Sequence, residues 1–284
     1  MSIVVTGATG ALGRLVVEEL LDRVPADRVA VVVRDPAKAA DLSGRGVEVR
    51  VADYDDPAAL AGAFRAGDRV LLISGNQIGR RVAQHTAVLE AARAAGVAQL
   101  AYTGVLGGPE ADFDLAAEHR ATERAVLDSG VPYTFLRNGW YHENYTAQLP
   151  AALEQGTVVA SAGGGRVASA ARADYAAAAA VALTGEGHLN RAYELSGDTA
   201  WSLAEYTAEL SAQSGREVTY TDVPAAEHLA ALTGAGVPEP FAAILVDVDA
   251  AIARGRLAGT SGDLARLIGR PTTPVAEAIS AALA

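Results

Sequence analysis

The chain has 284 residues, half of them apolar, and a formal net charge of -11, so it can bury a sizeable core and lacks the clustered basic face that nucleic acid or an anionic membrane demands of a partner. It contains no cysteine and one lysine, Lys38, every other basic residue being arginine, which removes disulfides, thiolate metal sites and cysteine nucleophiles together. No charged leader with a long apolar segment precedes Ser2, no apolar run nears the roughly 18 residues of a membrane span, and the expectation is a cytoplasmic protein.

The first element is SIVVTG (2–7), an apolar β-branched run closed by glycine, which predicts a buried strand. Leu12, Val16, Val17, Leu20 and Leu21 then fall at helical spacing, with Pro25 beyond the end of that helix. The alternation repeats with RVAVVVR (28–34), VEVRVAD (47–53), RVLLISG (69–75), QLAYTG (99–104) and YTFLRNG (133–139) as strands and Ala-rich helical stretches between them. Such βαβ alternation predicts a Rossmann-type α/β fold, a doubly wound parallel sheet. A helix over 173–183 and a strand at AYELSG (192–197) return to the same sheet, and after Trp201 the pattern becomes mostly helical, with one strand at EVTYTDV (217–223). The expected division is an NADP-binding domain over 1–136 with about 170–198, and a smaller, mostly helical substrate lobe over about 137–169 and 199–284.

VVTGATGALG places Gly7, Gly10 and Gly13 at the turn between the first strand and the first helix. There a backbone without side chains can approach a pyrophosphate, and the helix N-terminus supplies free N–H groups and partial positive charge. At the end of the second strand, where an acidic residue would hydrogen-bond the ribose of NAD, stands Arg34, followed by Asp35 and, one turn later, Lys38. A guanidinium favours a 2'-phosphate and hence NADP; the alternative is that Arg34 is solvated and Asp35 reads NAD. Asp53, ending the third strand, is placed either to contact the adenine amino group or to cap the helix beginning at Pro57. Ser74, Gly75 and Asn76 end the fourth strand, on the edge where ligands sit in such sheets.

One exclusion is firm. A Tyr-x-x-x-Lys pair, in which lysine lowers the tyrosine pKa for proton exchange with an alcohol or carbonyl, cannot exist here, because Lys38 is the only lysine and no tyrosine lies four residues before it. His119 and Glu123, at i,i+4 on one helix face, offer a proton donor, or else a surface histidine beside a carboxylate. No metal is expected, since His85, His119, His142, His188 and His228 are scattered without ligand spacing.

Taken together, TGATGALG, VRDPAKA, VRVADYDD, LLISG, AAGVAQLAYT, YTFLRNGWYHENY, ASAARADYAAAA, YELSGD and LIGRPTTP resemble the NmrA-like atypical short-chain dehydrogenases, and within them the bacterial NADPH-dependent quinone oxidoreductases. GAGVPEPF is also similar to the triphenylmethane-dye reductases. The resemblance implies that Gly7, Ala8, Thr9, Gly10, Ala11 and Leu12 hold the pyrophosphate, Arg34 the 2'-phosphate and Ser74 to Asn76 the nicotinamide half. It further implies that Asn138, Gly139, Trp140, Tyr141, His142 and Glu143 border the nicotinamide and substrate, that Arg172 is a cofactor contact, and that the protein is a homodimer. Two departures stand out: Asp35 where a neutral residue is expected, and Gly104 after Thr103 where relatives carry a hydroxyl.

The expected activity is direct hydride transfer from NADPH to a quinone, without flavin, with Asn138 and His119 as candidate catalytic residues. A quinone is a strong acceptor whose reduced oxygens are stable as phenolates, so positioning and a modest donor suffice. Reduction of triphenylmethane dyes or other conjugated electron-poor compounds is an alternative, as is a non-catalytic NADP-binding redox sensor. Within RNGWYHENY (137–145) the polar residues argue against pure core, and Trp140 or Tyr141 offers a flat wall to a flat acceptor.

Overall fold

The computed structural model describes residues 1–284 and contains, in chain order, the strands β1 (Ile3–Thr6), β2 (Val29–Val33), β3 (Glu48–Val51), β4 (Arg69–Leu72), β5 (Gln99–Val105), β6 (Tyr133–Asn138), β7 (Thr157–Ala160), β8 (Arg166–Val167), β9 (Arg191–Leu195), β10 (Trp201–Ser202) and β11 (Thr219–Asp222). Seven of them form one sheet in the order β3-β2-β1-β4-β5-β6-β9. The registered pairs from β3 to β6 are all parallel. The sheet continues parallel at β9, since the bonds Asn190 N–H to Tyr133 O and Gly139 N–H to Leu195 O advance along both strands together.

Every residue of β1, β2 and β5 is buried, including the polar Thr6, Gln99 and Thr103, as expected of strands covered on both faces. On one face Val4, Val70, Leu72, Leu100 and Tyr102 pack with Leu60, Phe64, Val88 and Leu89 in a single buried cluster. The helix Ala11–Leu21 packs against the helix Arg172–Thr184. The unbroken alanines Ala176 to Ala180, all buried, allow that close approach because they add no side-chain bulk. Between β1 and β4 the strand order reverses, which opens a crevice at their carboxyl ends.

The chain divides into two compact units. One comprises Met1–Gly108, Glu118–Asn138 and Arg172–Glu194; the other comprises Pro109–Ala117, Gly139–Ala171 and Leu195–Ala284. The second unit carries helices at Leu203–Ser214, Ala225–Gly234, Glu239–Ala253, Asp263–Ile268 and Val275–Leu283. The EVTYTDV stretch forms β11, paired in parallel with β7, and β8 pairs antiparallel with β10. No helix is long and apolar enough to cross a membrane.

Candidate functional site

A cavity of about 390 Å³ opens at the strand-order reversal, lined in part by Gly7, Thr9 to Gly13, Arg34, Lys38, Asp53, Tyr54 and Ser74 to Gln77. Its floor is the turn after β1. Gly7 takes φ +61°, which a side chain would strain. A β-carbon on Gly13 would lie 2.7 Å from the Ala8 Cα and closer still to the Gly7 carbonyl oxygen, so only glycine lets this helix seat on the strand. The helix Ala11–Leu21 begins at Gly10 with no side-chain cap, leaving its first N–H groups available to an anion. On the same cavity wall the exposed Arg34 and Lys38 supply positive charge. This combination of a side-chain-free turn, open helix N-terminus and paired cations suits a phosphorylated dinucleotide.

Beyond β4 the chain is held by side chains rather than by the sheet ladder. Ile73 N–H donates to Thr6 Oγ1 at 3.2 Å and Ser74 N–H to Thr103 Oγ1 at 2.8 Å, from the strands on either side. Gly75 N–H donates to His85 Nε2 at 3.0 Å, while Arg81 Nε donates to Gly75 O at 2.7 Å. Gln84, also on the cavity wall, donates to Gln77 Oε1 at 2.9 Å.

Behind β5, Tyr102 Oη and His119 Nδ1 lie 2.7 Å apart, both residues buried. Burial, aided by the charge of Arg81 and by His85, pulls the His119 pKa down from 6.5 to about 3. Glu123 does not pair with His119: its two oxygens accept from Arg137 Nε and a terminal nitrogen at 2.9 and 2.7 Å. In the second unit, Trp140 O accepts from Ala170 N–H at 3.1 Å and His142 N–H donates to Ala170 O at 3.0 Å, so segment 140–142 is tied down by its backbone. The His142 ring is buried between Ser169 Oγ and Thr273 O, both at 2.8 Å. Since the carbonyl can only accept, Nε2 carries a hydrogen, and Ser169 Oγ, bonded to Nδ1, also accepts from Trp201 Nε1 at 3.0 Å. Tyr145 meets Trp201 edge-on at 4.8 Å between ring centroids, and Trp201 stacks on Tyr206 at 5.4 Å.

Residues 7–186 match the family model described as NAD(P)H-binding. The chain belongs to the NAD(P)H-binding family. It is 49% identical over 278 residues to quinone oxidoreductase 2 of Escherichia coli strain K12, covering 98% of this chain and 97% of that protein. Among solved structures, an NADPH-dependent quinone oxidoreductase from E. coli complexed with NADPH superposes with a TM-score of 0.97 at 48% identity, covering 99% of this chain and 100% of that one. The Citrobacter triphenylmethane reductase complexed with NADP(H) gives 0.95 at 42%, covering 99% and 100%.

The cavity gathers Gly7, Thr9, Gly10, Ala11, Leu12, Gly13, Arg34, Lys38, Asp53, Ser74, Gly75 and Asn76 on one surface. Ala8 is fully buried beneath it. Asp35 is not on the wall; it caps its own short helix by accepting from Ala37 N–H at 3.0 Å, which disfavours the reading in which it takes the NAD ribose. The helix at Pro57 is capped by Asp56, not Asp53; Asp53 stays on the cavity wall and accepts from Asp55 N–H. Asn138, buried at the end of β6, and Arg172, which opens a helix, do not line this cavity. Gly139, Trp140, Tyr141, His142 and Glu143 belong to the second unit, and there the His142 ring is committed to Ser169 and Thr273 rather than open to a ligand. His119 is a core residue bonded to Tyr102, not a surface histidine. Tyr54, Gln77 and Gln84 are wall residues that sequence reasoning missed; Tyr54 directly follows Asp53, and that adjacency was the available signal.

Proposed function

We propose that this chain is an NADPH-preferring oxidoreductase that reduces quinones by direct hydride transfer without flavin. The observation that carries the reading is the position of Lys38: the only lysine in the chain stands on the cofactor cavity wall near Arg34. There it can serve a 2'-phosphate, and no lysine remains to activate a tyrosine. An acceptor that needs little acid assistance is therefore favoured, and the 49% identity to a quinone oxidoreductase supports the same choice.

When bound, the reduced nicotinamide would supply the hydride, two electrons and one proton, with a second proton coming from solvent to complete the hydroquinone. The residues of this chain bind and orient. The N–H groups of the Gly7–Leu12 turn would hold the pyrophosphate, Arg34 and Lys38 the 2'-phosphate, Asp53 the adenine, and Ser74, Gly75 and Asn76 the nicotinamide half. Asn138 and Arg172 would complete the cofactor contacts of the first unit, and Asn138→Ala should lower turnover more than stability. His119 takes no part as an acid in this reading, because burial keeps it neutral. A homodimer and a cytoplasmic location complete the proposal, the latter resting on the lack of cysteine.

A triphenylmethane dye is the second acceptor class, favoured by the 42% identical reductase. The test is to incubate flavin-free protein with NADPH and 1,4-benzoquinone and to quantify hydroquinone against NADPH consumed, with a dye in a parallel arm. One hydroquinone per NADPH is expected; no turnover with quinones alongside efficient dye reduction would transfer the assignment to dyes, and turnover with neither would favour a redox sensor.

A further inference from the structure

Gly75 is gripped at both its amide and its carbonyl by buried side chains of the following helix. His85 is 1% exposed and Arg81 5%, and they take the Gly75 N–H and C=O respectively. Because the Gly75 amide can only donate, His85 Nε2 must be unprotonated and Nδ1 must carry the hydrogen. Nδ1–H then donates to Thr122 Oγ1 at 3.0 Å, and the Thr122 hydroxyl passes its own hydrogen to Glu118 O at 2.9 Å. Every hydrogen in the chain has one acceptor, so the tautomer is fixed. Burial and the nearby Arg81 charge hold His85 neutral, with its pKa lowered to about 3. Arg81 is itself compensated by Glu118 at 3.1 Å, and the other Glu118 oxygen accepts from Gly79 N–H at 2.9 Å.

Burying an imidazole and a guanidinium is costly unless their bonds are well made. Here both bonds fix a single glycine on the cavity wall, at the point where β4 has lost its ladder partners. Gly75 does not owe its place to sterics: a β-carbon there would meet only ordinary contacts at 3.6 and 3.8 Å, with Gln84 and His85.

We propose that His85 is a positioning residue for the nicotinamide half of the cofactor, acting through Gly75 with Arg81 as the opposite jaw and Thr122 as the group that sets its tautomer. The inference rests on the placement of the nicotinamide half at Ser74 to Asn76, and its test uses no electron acceptor, so it can fail independently of quinone turnover. Two ligands are compared: NADPH, and adenosine 2',5'-bisphosphate, which keeps the adenosine half with its phosphates but lacks the nicotinamide half. In His85→Leu, the dissociation constant for NADPH should rise tenfold or more while that for the bisphosphate stays within about twofold. His85→Gln, whose amide oxygen can accept from Gly75 N–H, should restore NADPH affinity to within about threefold of the wild type. Equal loss for both ligands, or no loss for NADPH, would overturn the proposal. If His85→Leu does not fold, Thr122→Val carries the same decision: selective weakening of NADPH supports it, and unchanged or unselective binding overturns it.

Discussion

Arg137 grips Glu123 with two nitrogens, at 2.9 and 2.7 Å, in the space beside Gly104. A third guanidinium bond, 2.8 Å to Glu194, ties β6 to β9, and the other Glu194 oxygen receives Gly107 N–H at 2.7 Å. This explains Gly104, since a β-carbon there would lie 3.1 Å from Glu123 Oε1. Glu123 is 4% exposed, so Arg137→Met leaves a buried carboxylate without its cation and should cost about 3–5 kcal/mol in urea denaturation. Arg137→Lys should also destabilise, since a point charge cannot reproduce the fork; Gly104→Ser should cost about 1 kcal/mol.

The phosphate turn makes a sharper prediction. Gly13→Ala drives a methyl group into the backbone of Gly7 and Ala8, so it should abolish measurable NADPH binding by calorimetry. Gly7→Ala forces φ +61° on a residue with a side chain and should cost roughly 1–2 kcal/mol of stability, with weaker cofactor binding.

Cofactor preference should follow charge on the cavity wall. Arg34→Ala should weaken NADPH by about tenfold to a hundredfold, the value of a charge-assisted phosphate contact of about 1.5–3 kcal/mol, while leaving NADH within about threefold. Asp35→Ala should leave the preference for NADPH intact and cost about 1 kcal/mol of stability through loss of its cap. Fluorescence titration with both nucleotides separates these outcomes.

Acid stability should be set partly by His85 and His119, whose pKa values fall from 6.5 to about 3 through burial, with Arg81 adding to both. Between pH 6.5 and about 3 the unfolded chain binds protons that the folded chain refuses, so stability must fall as pH falls through that window. Each histidine contributes a slope of up to about 1.4 kcal/mol per pH unit. Guanidinium denaturation from pH 7 down to 4.5 should show this slope, and His85→Gln together with His119→Gln should flatten it.

The parallel, doubly wound character of the main sheet was legible because short apolar strands such as IVVT and VAVVV alternate with helical stretches along the chain. β8 and β10, of two residues each, were not, since so short a pair has no periodicity to read. Composition and spacing also singled out the glycine turn, Arg34, Lys38 and Ser74 to Asn76, all of which line one cavity. Spacing could not tell Asp53 from Asp56 as the cap before Pro57, because both precede the helix within one turn. Nor could it show that His119 turns inward to Tyr102 or that His85 reaches back to Gly75, since a helical face fixes direction but not the partner it meets. For RNGWYHENY the outcome is divided: Tyr145 joins the aromatic cluster with Trp201 and Tyr206, and His142 is locked in a hydrogen-bond chain. Trp140 and Tyr141 stay half-buried, fixed by the bonding of segment 140–142 to Ala170.

The most direct test of the whole account is the steady-state rate of 1,4-benzoquinone reduction by flavin-free protein, measured in parallel with NADPH and NADH. Turnover is expected with kcat/KM at least about tenfold higher for NADPH, the ratio that one charge-assisted contact to the 2'-phosphate supplies, and with that advantage lost in Arg34→Ala. Equal or better use of NADH, or no quinone reduction with either nucleotide, would contradict it.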